Sequence, residues 1–135
     1  MYRCCQSFFW SVLALFSLAL GANYADTTFT ATFFADVEQR YGAAATARFT
    51  AWRDLIKKGS DASDWDRVHQ ANQFFNRKVA YKSDAEHWGK VDYWATPVES
   101  LGTGAGDCED YAIAKYFTLR AMGVADEKLR LMYVR

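Results

Sequence analysis

One cysteine lies among carboxylates in residues 106–110, which read Gly-Asp-Cys-Glu-Asp. A thiolate is a much stronger nucleophile than a thiol, and the start of a helix favours the thiolate because its free backbone N–H groups carry partial positive charge. Cys108 precedes an apolar helical pattern, so we expect it in the first turn of a helix. The pattern predicts a nucleophilic thiol at Cys108; the alternative is a small cysteine buried in the core.

The flanking carboxylates raise the question of a cation site beside that thiol. Asp107, Glu109 and Asp110 would all oppose ionisation of the thiol, and a shared cation would remove the repulsion. Asp107 and Asp110 are three residues apart, which places them on one side of a helical turn, and hard oxygen ligands suit calcium. Alternatively, Asp107 caps the helix while the other two carboxylates complement its dipole. The spacing leaves both interpretations open.

A cysteine nucleophile needs a general base, for which the sequence offers two histidines. His69 and His87 both precede Cys108, and neither lies in a pattern that would orient it toward the thiol. We interpret His69 as a partly exposed helix residue. Zinc is poorly supported, because no paired cysteine or histidine accompanies the acidic segment.

Composition narrows the class of protein. The chain has 135 residues, of which 51% are hydrophobic and 17% aromatic, enough for a single domain with a substantial core. Its formal net charge is zero. Without a basic patch, the sequence gives no indication of a nucleic-acid partner.

Residues 1–25 have the features of a secretory signal peptide. Arg3 supplies the positive start, residues 8–20 form a short apolar run, and small residues follow at the exit. The run is shorter than the ~18 residues that a membrane-spanning helix needs. We therefore expect cleavage and no stable membrane insertion, with an uncleaved anchor as the alternative. The remaining domain would cover residues 26–135.

Cleavage would also remove Cys4 and Cys5 and leave Cys108 as a single cysteine. Exported proteins usually keep their cysteines in pairs, as disulfides. An unpaired cysteine in such a protein indicates a reactive thiol or an intermolecular bond.

The spacing of apolar residues predicts a largely helical N-terminal part. Residues 26–33 are rich in threonine and are predicted to be extended, and Gly42 should separate a short first helix from a second that ends near Gly59. A third helix should begin at Ser63 or Asp61. The apolar stripes comprise Ala45, Phe49, Trp52 and Ile56 in the second helix and Trp65, Val68, Asn72 and Phe75 in the third.

Caps and glycines mark the shorter elements nearer the cysteine. Ser83 should open a one-turn helix as part of a capping box, and Thr96 should cap a second short helix. The glycine-rich loop 102–106 ends that helix and leads into the helix of Cys108. Alternating apolar residues over 129–133 predict a strand.

Three blocks of this sequence match a known pattern: Trp88-Gly89, residues 92–99 (Asp-Tyr-Trp-Ala-Thr-Pro-Val-Glu) and residues 106–117 (Gly-Asp-Cys-Glu-Asp-Tyr-Ala-Ile-Ala-Lys-Tyr-Phe). Through these blocks the chain resembles the bacterial transglutaminase-like cysteine proteinases over about residues 45–135. The Asp-Cys-Glu-Asp-Tyr-Ala block with its Trp-Ala-Thr-Pro lead-in is far more specific than a bare Asp-Cys pair.

The resemblance implies an α+β fold of the transglutaminase/papain-like cysteine proteinase type. The helical N-terminal part would carry the nucleophile helix and the start of a sheet. Cys108 would be the catalytic nucleophile. Asp107 and Glu109 would be calcium-linked carboxylates, with Asp110 as a further calcium ligand.

The same resemblance implies a periplasmic, calcium-dependent endopeptidase that cuts a large surface adhesin near its N-terminal end and so controls biofilm release. Its expected partners are that adhesin and an inhibitory inner-membrane receptor that senses cyclic di-GMP. Binding of the nucleotide by this chain is not implied.

The family's catalytic histidine and aspartate are expected after the strand that begins near Lys128, whereas the sequence runs to Arg135. We therefore expect a domain truncated at its C-terminus, without those two groups and inactive as given. The alternatives are a calcium-responsive binding module without catalysis and a transglutaminase-like acyl transferase.

Overall fold

The structure is a computed structural model, and it describes residues 28–133. The predicted signal peptide, residues 1–25, lies outside the described residues. Within the described part of the chain, no helix combines the length and the apolar character needed to cross a membrane.

Six helices, two short strands and one 3₁₀ turn make up the regular structure of residues 28–133. The helices are α1 (Ala31–Tyr41), α2 (Ala43–Gly59), α3 (Asp64–Lys78), α4 (Asp84–His87), α5 (Pro97–Thr103) and α6 (Cys108–Ala121). The strands are β1 (Ala80–Tyr81) and β2 (Ala105–Gly106), and the 3₁₀ turn covers Asp126–Lys128.

Residues 26 and 27 of the predicted extended segment 26–33 lie outside the described residues, and the prediction is wrong from residue 31 onward, because α1 begins there. Thr30 acts as the helix cap, and its hydroxyl accepts a hydrogen bond from the Phe33 N–H at 3.1 Å. Threonine favours caps as well as strands, and tertiary packing of the α1 aromatics decides between them. Gly42, with φ of 81°, ends α1 and separates it from α2, as predicted.

Helix α2 forms the centre of the core and confirms the predicted stripe. The buried face of α2 extends to Gly59, where an added Cβ would lie 2.8 Å from the Met122 side chain. The glycine therefore lets the end of α2 lie close to the end of α6. The buried residues of α2 are Ala45, Phe49, Trp52, Ile56 and Gly59.

Helix α3 starts as predicted at the Ser63 cap but turns a different face to the core. Of the predicted stripe only Phe75 is buried, whereas Trp65 is 72% exposed. The reason is the small residue Ala71, which shares a face with Phe75 and allows close packing against α2 and α6. Arg67 also fixes the rotation of α3, because its guanidinium donates to the carbonyl of Gly59 at 2.8 Å.

The two strands pair in parallel, with Ala80 opposite Ala105 and Tyr81 opposite Gly106. This pairing places the residue after β2 directly at the start of α6. The predicted strand over 129–133 is wrong: these residues follow the 3₁₀ turn without forming a strand. A strand needs a hydrogen-bonded neighbour, and the sheet of the described residues consists of β1 and β2 alone.

Candidate active site and metal centre

The approach to the cysteine is built from a short, firmly capped helix. The hydroxyl of Thr96 accepts from the Glu99 N–H, and the Glu99 carboxylate accepts in return from the Thr96 N–H at 2.8 Å. Gly104 ends α5 in the left-handed conformation, with φ of 74°. These features confirm the predicted cap and the predicted role of the glycine-rich loop.

The far end of α5 is anchored to the core by Arg48 of α2. Its guanidinium donates to the carbonyl oxygens of Leu101 at 2.6 Å and Gly102 at 2.7 Å. These carbonyls belong to the last turn of α5, where helix geometry leaves acceptors without partners. The segment that leads to Cys108 is therefore held against the central helix.

Cys108 is the first residue of α6 and is exposed, so it is not the buried core cysteine of the alternative interpretation. Its Sγ donates a hydrogen bond to Glu109 Oε2 at 2.9 Å. That hydrogen bond, together with partial desolvation, raises the pKa of the Cys108 thiol, and it lowers the pKa of the Glu109 carboxyl. In this arrangement the Glu109 carboxylate stabilises the protonated form of the thiol.

Asp107 is the buried cap residue of α6. Its Oδ1 atom has no hydrogen-bond partner among the described residues. Burial raises the pKa of the Asp107 carboxyl to about 6, and the nearby Glu109 carboxylate adds to the shift. A buried acceptor without a partner is costly, which makes this oxygen available to a cation.

Asp84 approaches the same point from α4, whose capping box with Ser83 and Glu86 is present as predicted. The Asp84 side chain is 5% exposed, and its Oδ2 accepts the Tyr93 N–H at 2.5 Å. Its Oδ1, like that of Asp107, has no hydrogen-bond partner within residues 28–133.

The carboxylates form three overlapping groups, within each of which one ligand atom per residue lies no more than 4.8 Å from the others. Two oxygens bound to one calcium ion at about 2.4 Å are at most about 4.8 Å apart, so the spacing fits that ion. All three carboxylates predicted from the sequence belong to these groups. The groups are Asp107, Cys108 and Glu109; Asp84, Asp92 and Glu109; and Asp84, Asp107 and Asp110.

Sequence reasoning missed Asp84 and Asp92 as members of the cluster. Asp84 was interpreted only as part of the Ser83 capping box, and Asp92 only as part of a block matching the family. The sequence carries no local signal that joins these two aspartates to Asp107, because only the fold brings them together. In the structure, the rings of Trp88 and Tyr93 pack with centroids 4.7 Å apart, which helps to fix the loop that carries Asp92.

A cavity of about 420 Å³ opens beside the thiol. Its walls are mostly apolar, and Trp94 forms one side, with its ring centroid 6.2 Å from that of Tyr133. The shape suits an extended chain or an apolar side chain laid against the sulfur. The lining residues are Trp94, Cys108, Glu109, Ala112, Ile113, Leu131, Met132 and Tyr133.

Neither histidine lines this cavity. His69 is exposed and stacks on Trp65 with a centroid separation of 5.5 Å, which agrees with its interpretation as a surface helix residue. His87 Nε2 lies 3.0 Å from the Thr103 hydroxyl. Within residues 28–133, the cavity beside Cys108 thus lacks an imidazole among its walls.

A model of the bacterial transglutaminase-like cysteine proteinase family (BTLCP) matches residues 41–135. The chain belongs to this family. The match includes α2 to α6 and the Cys108 segment, and the fold of residues 28–133, mostly helical with a short parallel sheet, is the transglutaminase-like fold. A search of curated protein sequences finds no significant match.

The structure is similar to solved structures of Legionella pneumophila LapG. One of these is described as calcium-bound and another as EGTA-treated. In each case the TM-score is 0.59, the sequences are 39% identical and the alignment covers 70% of this chain. It covers 51% of the first two LapG chains and 50% of the EGTA-treated one, so the chain spans about half the length of these relatives.

Proposed function

We propose that this chain carries the nucleophile and the calcium site of a periplasmic cysteine endopeptidase that releases a large surface adhesin and so controls biofilm release. The observation that carries the proposal is the exposed Cys108 thiol at the start of α6, beside an open apolar cavity, in a member of a cysteine proteinase family. A cysteine with a purely structural role would be expected to pack in the core and not to line such a cavity.

The proposed reaction begins with the Cys108 thiolate. The sulfur attacks the carbonyl carbon of the scissile peptide bond, and the C–N bond breaks as the leaving amine takes up a proton. Water then hydrolyses the thioester, which releases the acid and restores the thiol. The family's catalytic histidine and aspartate, which are expected beyond the segment that begins near Lys128, would move these protons.

Calcium is the cofactor of the proposed enzyme, since LapG has been solved both calcium-bound and EGTA-treated. We propose that Asp107 and Glu109 hold the ion together with Asp84, whose unpartnered Oδ1 and that of Asp107 are ready acceptors. Asp92 belongs to the same cluster. Bound calcium would supply positive charge among these carboxylates, which favours the thiolate over the thiol.

The proposed location and partners rest on the family. An exported protease fits the signal-peptide pattern of residues 1–25. The substrate would be a large adhesin, and an inner-membrane receptor that senses cyclic di-GMP would hold the protease back. The whole enzyme, rather than residues 28–133 alone, would make these contacts.

The test is cleavage of the adhesin by the protein purified from its native source, with and without calcium, against a Cys108→Ala variant. The expected result is a Cys108-dependent cut that EGTA abolishes. The intact mass of the protein in the same sample will show whether residues follow Arg135.

Two other outcomes would replace the proposal. Calcium-dependent stabilisation without any cleavage by the intact native protein would favour a binding module. Incorporation of an amine at glutamine, with no hydrolysis, would favour an acyl transferase.

A further inference from the structure

Asp110 differs from the other buried carboxylates of the site in how its oxygens are used. Its side chain is 1% exposed. Oδ1 accepts the Ala95 N–H at 2.7 Å, and Oδ2 accepts the Asp107 N–H at 3.3 Å. Asp84 and Asp107, by contrast, each have an Oδ1 without a partner among the described residues. Each oxygen of Asp110 therefore already accepts a backbone N–H, whereas Asp84 and Asp107 each have one oxygen that accepts none.

The Ala95 N–H belongs to the segment 92–95, which reaches the site from outside α6. The backbone of this segment is held at two points by carboxylates, because Asp84 accepts the Tyr93 N–H and Asp110 accepts the Ala95 N–H. Trp94 lies between the two points, and its indole N–H donates to Asp92 Oδ1 at 3.0 Å within the same segment. Its indole forms one wall of the cavity beside the Cys108 thiol.

The backbone leaves room for the Asp110 side chain at Gly106. A Cβ on Gly106 would lie 2.8 Å from Asp110 Oδ2 and 2.9 Å from Asp110 Cβ. Side-chain carbons do not approach so closely, so any larger residue at 106 would displace the carboxylate. Gly106 and Asp110 thus act as one unit between β2 and α6.

We propose that Asp110 is a positioning residue that holds Trp94 in the wall of the cavity beside Cys108 by accepting the Ala95 N–H, and that it does not bind calcium. The proposal deepens the proposed function, since it takes Cys108 as the reacting thiol. It separates the work of two neighbouring acids: Asp107 presents an open oxygen to the ion, and Asp110 holds the wall of the cavity.

The experiment compares two alkylating reagents on the full chain, iodoacetamide and N-benzyl iodoacetamide, with modification counted by mass spectrometry on the peptide that contains Cys108. The benzyl group must enter the apolar cavity when its reagent reacts with Cys108, whereas iodoacetamide can react without occupying the cavity. In Asp110→Ala we expect the benzyl-to-plain rate ratio to fall about threefold or more, the size of a lost aromatic contact. Asp110→Asn keeps one acceptor oxygen, which can still accept the Ala95 N–H, and loses only the longer bond from the Asp107 N–H, so the ratio should stay near that of the wild type.

Three further variants make the outcome decisive. Trp94→Ala removes the wall itself and should lower the ratio, whereas Asp54→Asn, an exposed aspartate on α2, should not. Gly106→Ala should displace the Asp110 carboxylate and reproduce the fall, which gives a second route if Asp110→Ala does not fold. General unfolding would also lower the ratio, because it abolishes the cavity, so the far-UV circular dichroism of each variant must match that of the wild type before its ratio is interpreted.

An unchanged ratio in both Asp110→Ala and Gly106→Ala would overturn the positioning role. An equal fall in Asp110→Asn and Asp110→Ala would also overturn it, because the bond from the Ala95 N–H alone would then not hold the cavity wall. If Cys108 reacts with neither reagent in the wild type, it is the proposed nucleophile that fails instead.

The calcium part is read by thermal unfolding with calcium and with EGTA. Asp110→Asn should keep the calcium-induced rise in Tm, and Asp107→Asn should lose it. Loss of the rise in Asp110→Asn would make Asp110 a ligand and overturn that half of the proposal.

Discussion

The aromatic core around α1 and α2 and the acidic cluster around Asp84 and Asp107 lie in one small domain but affect its stability in opposite ways. In the core, rings pack edge to face, as Phe49 does on Phe33 at a centroid distance of 5.3 Å. In the cluster, two buried carboxylate oxygens have no partner among the described residues. The core supplies stability, while the cluster holds unfavourable charge in place for chemistry.

The largest expected effect comes from a substitution that removes the reactivity of the thiol and leaves the stability of the fold unchanged. Cys108→Ser should lower alkylation at position 108 by about a thousandfold or more, since a hydroxyl is a far weaker nucleophile than a thiolate. Cys108 is exposed, so the free energy of unfolding should change by less than about 0.5 kcal/mol. Mass spectrometry and urea titration check the two halves. A large loss of stability would place Cys108 in the structural part of the fold.

The second prediction does the reverse and removes stability from the core. Phe49→Ala should cost about 3–5 kcal/mol, because the ring is fully buried and leaves a cavity. The matched control is Phe117→Ala on α6, whose ring is 51% exposed and should cost under about 1 kcal/mol. Urea unfolding of both variants measures the difference. Equal costs would mean that the core does not lie where the packing places it.

The same contrast explains how far sequence could predict this molecule. The stripe of α2 was predictable because apolar spacing and burial obey one period. Trp65 of α3 was not: hydrophobicity indicated burial, but Ala71 decided the packing face and left Trp65 exposed. The strand expected at 129–133 failed because pairing depends on a neighbour that local pattern does not reveal.

At the candidate site, prediction succeeded where residues are adjacent in sequence and failed where the fold joins them. Cys108 at the start of α6 followed from local signals alone. Asp84 enters the cluster from more than twenty residues away, through the turn of α4 and a packed loop. No spacing rule connects the two. The different use of the Asp110 and Asp107 oxygens is likewise a matter of three-dimensional contacts.

The third prediction concerns the unpartnered oxygens of the cluster. Calcium at about a hundred times its dissociation constant should stabilise the protein by about 2.7 kcal/mol, because it binds only the folded cluster. Asp84→Asn should remove that gain, and it should cost little in EGTA, since the amide oxygen can still accept the Tyr93 N–H. Asp36→Asn, on the exposed surface of α1, is the control. Melting temperatures with calcium and with EGTA decide the matter, and a gain that survives in Asp84→Asn would exclude Asp84 from the site.

The smallest effect expected is a dependence on pH of the calcium-free protein. Burial raises the pKa of Asp107 to about 6 from its ordinary value near 3.8, so between these values the folded state binds more protons than the unfolded state. Stability should therefore fall as pH rises through this window, by about 2 kcal/mol between pH 4 and pH 6.

Glu109 has the opposite sign, because its hydrogen bond from Cys108 lowers its pKa and its contribution is lost as pH falls. The Asp107 part is isolated by subtracting the pH profile of Asp107→Asn, measured in EGTA by urea unfolding. Calcium requires the ionised carboxylate, so its stabilisation should be greater at pH 7 than at pH 5. A difference profile that is flat, or that rises from pH 4 to 6, would mean that Asp107 is not held as a buried acid. The acidic cluster would then not hold the destabilising buried charge that distinguishes it from the aromatic core.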